Sequence, residues 1–140
     1  DSPAPFDSAK SLGEALLAPT KIYVKSCLAA FRAGHLKALA HITGGGLLEN
    51  IPRVLPHGVA AELDTAAWTR PPVFDWLAEV GGVAELEMAR TFNTGLGMIA
   101  VVSPDRADAA LALFKAQGET ASVVGRIAGA PGDTPEVRLV

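Results

Sequence analysis

His41-Ile42-Thr43-Gly44-Gly45-Gly46-Leu47-Leu48-Glu49-Asn50-Ile51-Pro52 is the stretch that decides how this chain folds. Upstream of the glycines, Leu36 to Ile42 is mostly apolar, the pattern of a buried strand. Downstream, Leu47, Leu48, Ile51, Val54 and Leu55 mark an amphipathic helix, and Pro52 imposes a break or a kink in it. A strand running through glycines straight into a helix is a connection found where helices pack on a sheet. Such glycines also let backbone N–H groups approach a ligand closely, and a helix start favours an anion there. Two readings of Thr43, Gly44, Gly45 and Gly46 are therefore open: a phosphate or carboxylate cradle, or a turn that joins strand to helix. The argument for a cradle is that consecutive glycines cost more chain entropy than a connecting turn requires.

The alternation continues outward on both sides. The first eighteen residues are Pro-rich and then weakly helical over Ser8 to Leu17, and read as a connecting arm. Ile22-Tyr23-Val24 reads as a short strand, and Ser26 onward as a helix that Gly34 stops. Val59 to Leu63 is strand-like. Pro71-Pro72 opens a helix closed by Gly81-Gly82, and Glu85 to Arg90 forms another. Met98 to Val102 is strongly β-prone, Pro104 to Gln117 is helical, and Gly118 ends it. Ser122 to Ile127 reads as a strand, and Pro135 to Val140 as an edge strand or a frayed tail. About five or six strands thus alternate with about four or five helices, which implies a sheet with helices packed on it.

With 140 residues, 49% of them hydrophobic, the chain is one domain's length and can bury a core. No apolar run approaches the ~20 residues that a membrane-spanning helix needs. The opening Asp1-Ser2-Pro3-Ala4-Pro5 lacks the basic flank and apolar stretch of a signal peptide, so a soluble, cytoplasmic protein is expected. Net charge is −3 with no basic block, which argues against nucleic-acid binding. Cys27 stands alone, excluding an intrachain disulfide, and falls on what reads as a buried helix face. His35, His41 and His57 lack metal-ligand spacing, so no metal site is expected from this chain alone.

Two further segments carry candidate binding groups. In Arg90-Thr91-Phe92-Asn93-Thr94-Gly95-Leu96-Gly97-Met98, Arg90 can pair with a carboxylate or phosphate, and Asn93 can bond a ligand or cap a turn. The plainer reading is a turn held by Asn93 beside a surface arginine. In Glu49-Asn50-Ile51-Pro52-Arg53, Asn50 either faces the same pocket as the glycines or belongs to a kinked, solvated face. No Ser-His-Asp order, paired catalytic carboxylates or GxxxxGK[ST] motif is present, so the catalytic residues are unknown.

These blocks together resemble a known family. Leu12-Gly13-Glu14-Ala15-Leu16-Leu17-Ala18-Pro19-Thr20-Lys21-Ile22-Tyr23-Val24, His41 through Pro56, Pro72-Val73-Phe74-Asp75-Trp76-Leu77 and Arg90 through Met98 look like the carboxy-terminal half of phosphoribosylformylglycinamidine cyclo-ligase, the aminoimidazole ribonucleotide synthetase of purine biosynthesis. The resemblance runs over residues 1–128 and divides the chain into a connecting arm (1–18), the carboxy-terminal domain proper (19–128) and a tail (129–140) without a counterpart. It implies an α+β fold, a mixed β-sheet packed with helices and partly ferredoxin-like. It also implies ATP-dependent activation of the formylglycinamidine amide oxygen as a phosphate, which ring closure by the neighbouring nitrogen expels. ATP and formylglycinamidine ribonucleotide are then the ligands, with Mg2+ bound mainly by acidic residues of an amino-terminal domain that completes the cleft. This chain alone would be inactive, and the full-length enzyme a homodimer. Carried over by position, Thr43, Gly44, Gly45 and Gly46 are the first substrate or phosphate contacts, with Asn50, Arg90, Thr91, Asn93, Gly95 and Gly97 behind them. Families that make selenophosphate, phosphorylate thiamine phosphate or act in hydrogenase maturation share this architecture. They are not expected to keep the ENIPRVLP and RTFNxGxGM blocks together. The alternative reading is a non-catalytic module that holds a phosphorylated metabolite.

Overall fold

The computed structural model describes residues 2–140. The stretch read as an arm, whose first residue lies outside that range, holds two short paired strands, β1 (Pro3–Ala4) and β2 (Asp7–Ser11), and one short helix, α1 (Leu12–Leu16). Ser11 caps this helix: its Oγ accepts the Glu14 amide at 3.3 Å, and the Glu14 carboxylate accepts the Ser11 amide at 2.9 Å. That reciprocal pair is a capping box, and its hydrogen bonds hold the Glu14 carboxyl below the usual range.

The strand expected at Ile22-Tyr23-Val24 is not formed. Val24 instead begins α2 (Val24–Arg32), with the Cys27 amide donating to the Tyr23 carbonyl at 2.9 Å. Ile22 is 81% exposed and pairs with no strand among the described residues, and a β-prone run without a partner edge gains no ladder hydrogen bonds. β3 (Leu36–His41), α3 (Gly46–Asn50) and β4 (Val59–Leu63) follow, and Pro52 ends α3 in a 3-10 turn over Pro52–Val54. α4 (Pro72–Gly81), α5 (Glu85–Thr91) and β5 (Met98–Val102) stand where the sequence places them. The helix expected over Pro104 to Gln117 is divided into a 3-10 turn at Pro104–Arg106 and α6 (Ala107–Ala116). The last strands are β6 (Gly125–Gly129) and β7 (Glu136–Leu139). β6 starts three residues later than its β-prone run because Ser122 to Val124 makes only one ladder-like bond, Asp64 N–H to the Val124 carbonyl at 2.9 Å.

β3 and β5 pair antiparallel, and a separate three-stranded sheet has the order β6-β4-β7, antiparallel then parallel. The final segment is therefore the edge strand of a mixed sheet. In central β4, Ala60 and Ala61 are both buried, and since neighbouring side chains point to opposite faces the strand is covered on both. The core joins the two sheets beneath α3: Ala40 and Ile42, Leu47 and Ile51, Ala61 and Leu63 form one buried cluster. One mixed sheet and two antiparallel pairs, packed with helices, make this the α+β architecture expected. No helix among the described residues is long and apolar enough to cross a membrane.

α3 lies against the end of α5 through Gly46. This residue has φ +54°, and a Cβ there would overlap the Ala89 carbonyl oxygen and lie 2.7 Å from that of Phe92. At Gly44 an added Cβ meets nothing within 4 Å, and φ is not positive. Gly46→Ala is accordingly expected to cost more than about 3 kcal/mol of stability, and Gly44→Ala less than about 0.5 kcal/mol. Urea unfolding midpoints of the two variants check both.

Candidate functional site

Because β3 and β5 run antiparallel, the loop leaving β3 and the loop entering β5 emerge at the same end of the pair. His41 is in register with Met98, and the Ile42 amide donates to the Gly97 carbonyl at 3.0 Å, carrying the pairing one step beyond the strands. Thr43-Gly44-Gly45-Gly46 and Asn93-Thr94-Gly95-Leu96-Gly97 are thus brought together. Arg90 and Thr91 sit nearby at the carboxy end of α5, both exposed, with Arg90 paired to Glu87 at 3.2 Å.

The first loop is closed by Asn50. Its Nδ2 faces the carbonyl oxygens of Thr43 (3.3 Å), Gly44 (3.2 Å) and Gly46 (2.8 Å), while its Oδ1 accepts from Arg53 Nη1 at 3.0 Å. The side chain is 6% exposed and fully engaged within the protein, so it shapes the loop from behind. The Gly46 amide donates to the Thr43 carbonyl at 3.0 Å. Among the described residues no protein acceptor takes the amides of Thr43, Gly44 or Gly45. α3 has only five residues, so its dipole is small, and these loop amides are the donors available to an anion.

The second loop is held at successive positions. Asn93 Oδ1 accepts the Gly95 amide at 2.9 Å, the Leu96 amide donates to the Asn93 carbonyl at 2.9 Å, and Trp68 Nε1 donates to the Thr94 carbonyl at 3.0 Å. Gly95 has φ +104°, and a Cβ there would come 2.5 Å from Pro71 Cδ. Thr94 is buried with φ +49°, and its Oγ1 has no hydrogen-bond partner among the described residues. Neither Trp68 nor the strain at Thr94 was foreseen from the sequence. No local pattern marks an indole 26 residues away as a loop support.

A cavity of about 550 Å3 lies elsewhere, between α2, α6 and β5, and is lined by Cys27, Met98, Leu111 and Phe114 among others. None of the candidate binding residues lines it. At its edge, Lys21 Nζ pairs with the Glu119 carboxylate, which also accepts Ser26 Oγ at 2.8 Å. The lysine bond holds the Glu119 carboxyl below its ordinary range, and the carboxylate in turn raises the Lys21 ammonium. Burial pushes up the Tyr23 phenol and the half-buried Cys27 thiol.

Residues 1–138 match the family model described as AIR synthase related protein, C-terminal domain. The chain belongs to this family. A crystal structure of E. coli HypE, a hydrogenase maturation protein, has a TM-score of 0.64 and 21% identity over 91% of this chain and 39% of its own. A second crystal structure of E. coli HypE has a TM-score of 0.62 and 20% identity over 91% of this chain and 40% of its own. The chain therefore spans about two fifths of the length of these neighbours, and at such identity the likeness is one of fold. Both glycine loops fall inside the segment that the family match covers.

Asn50→Asp is expected to destabilise this family member more than Asn50→Ala does. Alanine forfeits the loop's hydrogen bonds, about 2 kcal/mol, whereas a carboxylate turns an oxygen toward three carbonyl oxygens. Chemical denaturation at pH 7 gives the order. For Glu119, whose folded value is depressed, the stabilisation is present above the unfolded value of about 4.3 and lost as pH falls through the folded one. Wild type should exceed Glu119→Gln by under about 1 kcal/mol at pH 7, since Lys21 is half exposed, and the gap should close on acidification below about pH 4. Unfolding midpoints of both proteins across that range test it.

Proposed function

We propose that this chain serves as the carboxy-terminal domain of an ATP-dependent phosphoribosylformylglycinamidine cyclo-ligase of purine biosynthesis, forming part of its cleft and inactive by itself. The observation that carries the reading is the convergence of the HITGGGLLENIPRVLP and RTFNTGLGM blocks, far apart in sequence, at one end of the β3/β5 pair. Family membership is consistent with this activity and with others, and the fold neighbours do not choose among them.

In this reading the amides of Thr43, Gly44 and Gly45 hold oxygens of a phosphoryl group or of the ribonucleotide phosphate. Arg90, exposed at the end of α5, supplies positive charge. Asn50 and Gly46 keep the loop in shape, as do Asn93, Gly95 and Gly97 for its neighbour. Such a site works by positioning and charge neutralisation, which backbone donors fixed in advance perform without reorganising. Among the described residues no group of three His, Cys, Asp or Glu is placed to hold a metal. In the same reading, magnesium accompanying ATP takes its protein ligands mainly from the amino-terminal domain. The same reading makes the full-length enzyme a cytoplasmic homodimer.

The test is the cyclo-ligase activity of the full-length protein on formylglycinamidine ribonucleotide and ATP. Wild type should be active, and Gly44→Ala, which places a methyl on the open loop, should lose at least about tenfold in kcat/KM with an unchanged unfolding midpoint. Full activity in Gly44→Ala would remove this loop from the site. An inactive wild type would sink the cyclo-ligase reading and leave the phosphorylated-metabolite module.

A further inference from the structure

Gly95 and Gly97 are glycines for different reasons, and the difference exposes a role for Tyr23. Gly95 needs its own positive φ, whereas the backbone at Gly97 is of a kind any residue adopts. What a side chain at Gly97 would displace is Tyr23: a Cβ there would overlap the phenol oxygen and lie 2.9 Å from Cζ and 3.3 Å from Cε2. The same ring meets the His41 ring edge-on, with centroids 6.0 Å apart. His41 is the last residue of β3 and Gly97 immediately precedes β5, so one aromatic ring touches the roots of both glycine loops. The ring is itself secured. Ser26 Oγ lies 3.0 Å from the Tyr23 carbonyl, Lys21 Nζ stands 5.8 Å from the ring centroid, and Lys21 is tied to Glu119 beyond α6.

We propose that Tyr23 is a positioning residue that holds the two glycine loops in register, acting through Gly97 and His41 without touching a ligand. Its bearing on catalysis rests on the function proposed above; its bearing on loop geometry does not. The Ile42 amide, bonded to the Gly97 carbonyl, is the natural reporter, because it is freed only when the loops part.

Two measurements on the 140-residue chain and one on the full-length protein decide the matter. In native-state hydrogen exchange, Tyr23→Ala should speed exchange of the Ile42 amide at least about tenfold beyond any change in the slowest, globally exchanging amides. Tyr23→Phe, which keeps the ring, should stay within about threefold of wild type. In a double-mutant cycle, Gly97→Ala should destabilise wild type, yet add nothing to Tyr23→Ala, where the space for its methyl has been vacated. Ile42 exchange that rises only in step with global unfolding, or additive effects of Tyr23→Ala and Gly97→Ala, would overturn the proposal. In the full-length protein, Tyr23→Ala should raise KM for ATP or the ribonucleotide about tenfold and Tyr23→Phe restore it. Unchanged KM values in an active Tyr23→Ala enzyme would refute the catalytic bearing. A wild type without cyclo-ligase activity would refute the proposed function instead, leaving exchange and the cycle to judge Tyr23.

Discussion

The antiparallel register of β3 on β5 is the constraint on which the rest of the site depends. With His41 opposite Met98, the end of one strand is the beginning of the other, and two loops some fifty residues apart leave the sheet side by side. A shift of one residue would turn Ala40 out of the core and separate the Ile42 amide from the Gly97 carbonyl. Ala40 and Ile42 lie in the same buried cluster as Leu47 and Ile51, so burial of the core fixes the register and the register fixes the loops. Packing here sets the geometry of a surface at which the core residues themselves never appear.

Within that frame the glycines divide the work. Gly46 permits α3 to lie against the carbonyl end of α5, Gly95 accepts a left-handed turn under Pro71, and Gly97 leaves room for Tyr23. Gly45, at φ +98°, turns the chain where a Cβ would crowd Glu49 and Asn50. Of the glycines in these two loops, Gly44 alone has open space around it and an ordinary φ, so it is the position that approach from solvent explains best. A run open to reading as either a cradle or a connecting turn thus holds one permissive position among neighbours with structural duties. That arrangement suits a site whose donors must be fixed before a ligand arrives.

Much of this could be read from residues. β4 and β5 begin and end where their apolar, β-branched runs do, and α4 is bounded by Pro72 and Gly82 as local rules require. The misreadings share a cause. Ile22-Tyr23-Val24 has strand propensity but no partner edge, and Ser122 to Val124 is β-prone but meets β4 only at its end. Strand propensity states what a segment tolerates, whereas ladder formation needs a second strand that the local sequence does not show. In the arm, Ser8 to Leu17 reads as weakly helical, yet only Leu12 to Leu16 is helix; Asp7 to Ser11 pairs with β1 as β2, a polar run with no apolar alternation to mark it. The candidate residues were legible as types. Their division into loop donors and loop supports was not, because it depends on distant partners such as Trp68, Pro71 and Tyr23.

Thr94 shows how far those partners determine the loop. A buried β-branched residue at positive φ is unfavourable, at a cost on the order of 1–3 kcal/mol. It persists because its flanks leave the chain no alternative: Asn93 turns it, Trp68 holds its carbonyl, and Pro71 closes over Gly95. Strain of this kind is retained only where the surroundings over-determine a conformation. Removing one support should therefore let the loop relax toward ordinary backbone angles, moving the Gly95 and Gly97 amides together with it. The shape of this loop is set by the packing of three side chains, Asn93 within it and Trp68 and Pro71 from outside, and a surface made of backbone can be altered from there without changing its glycines.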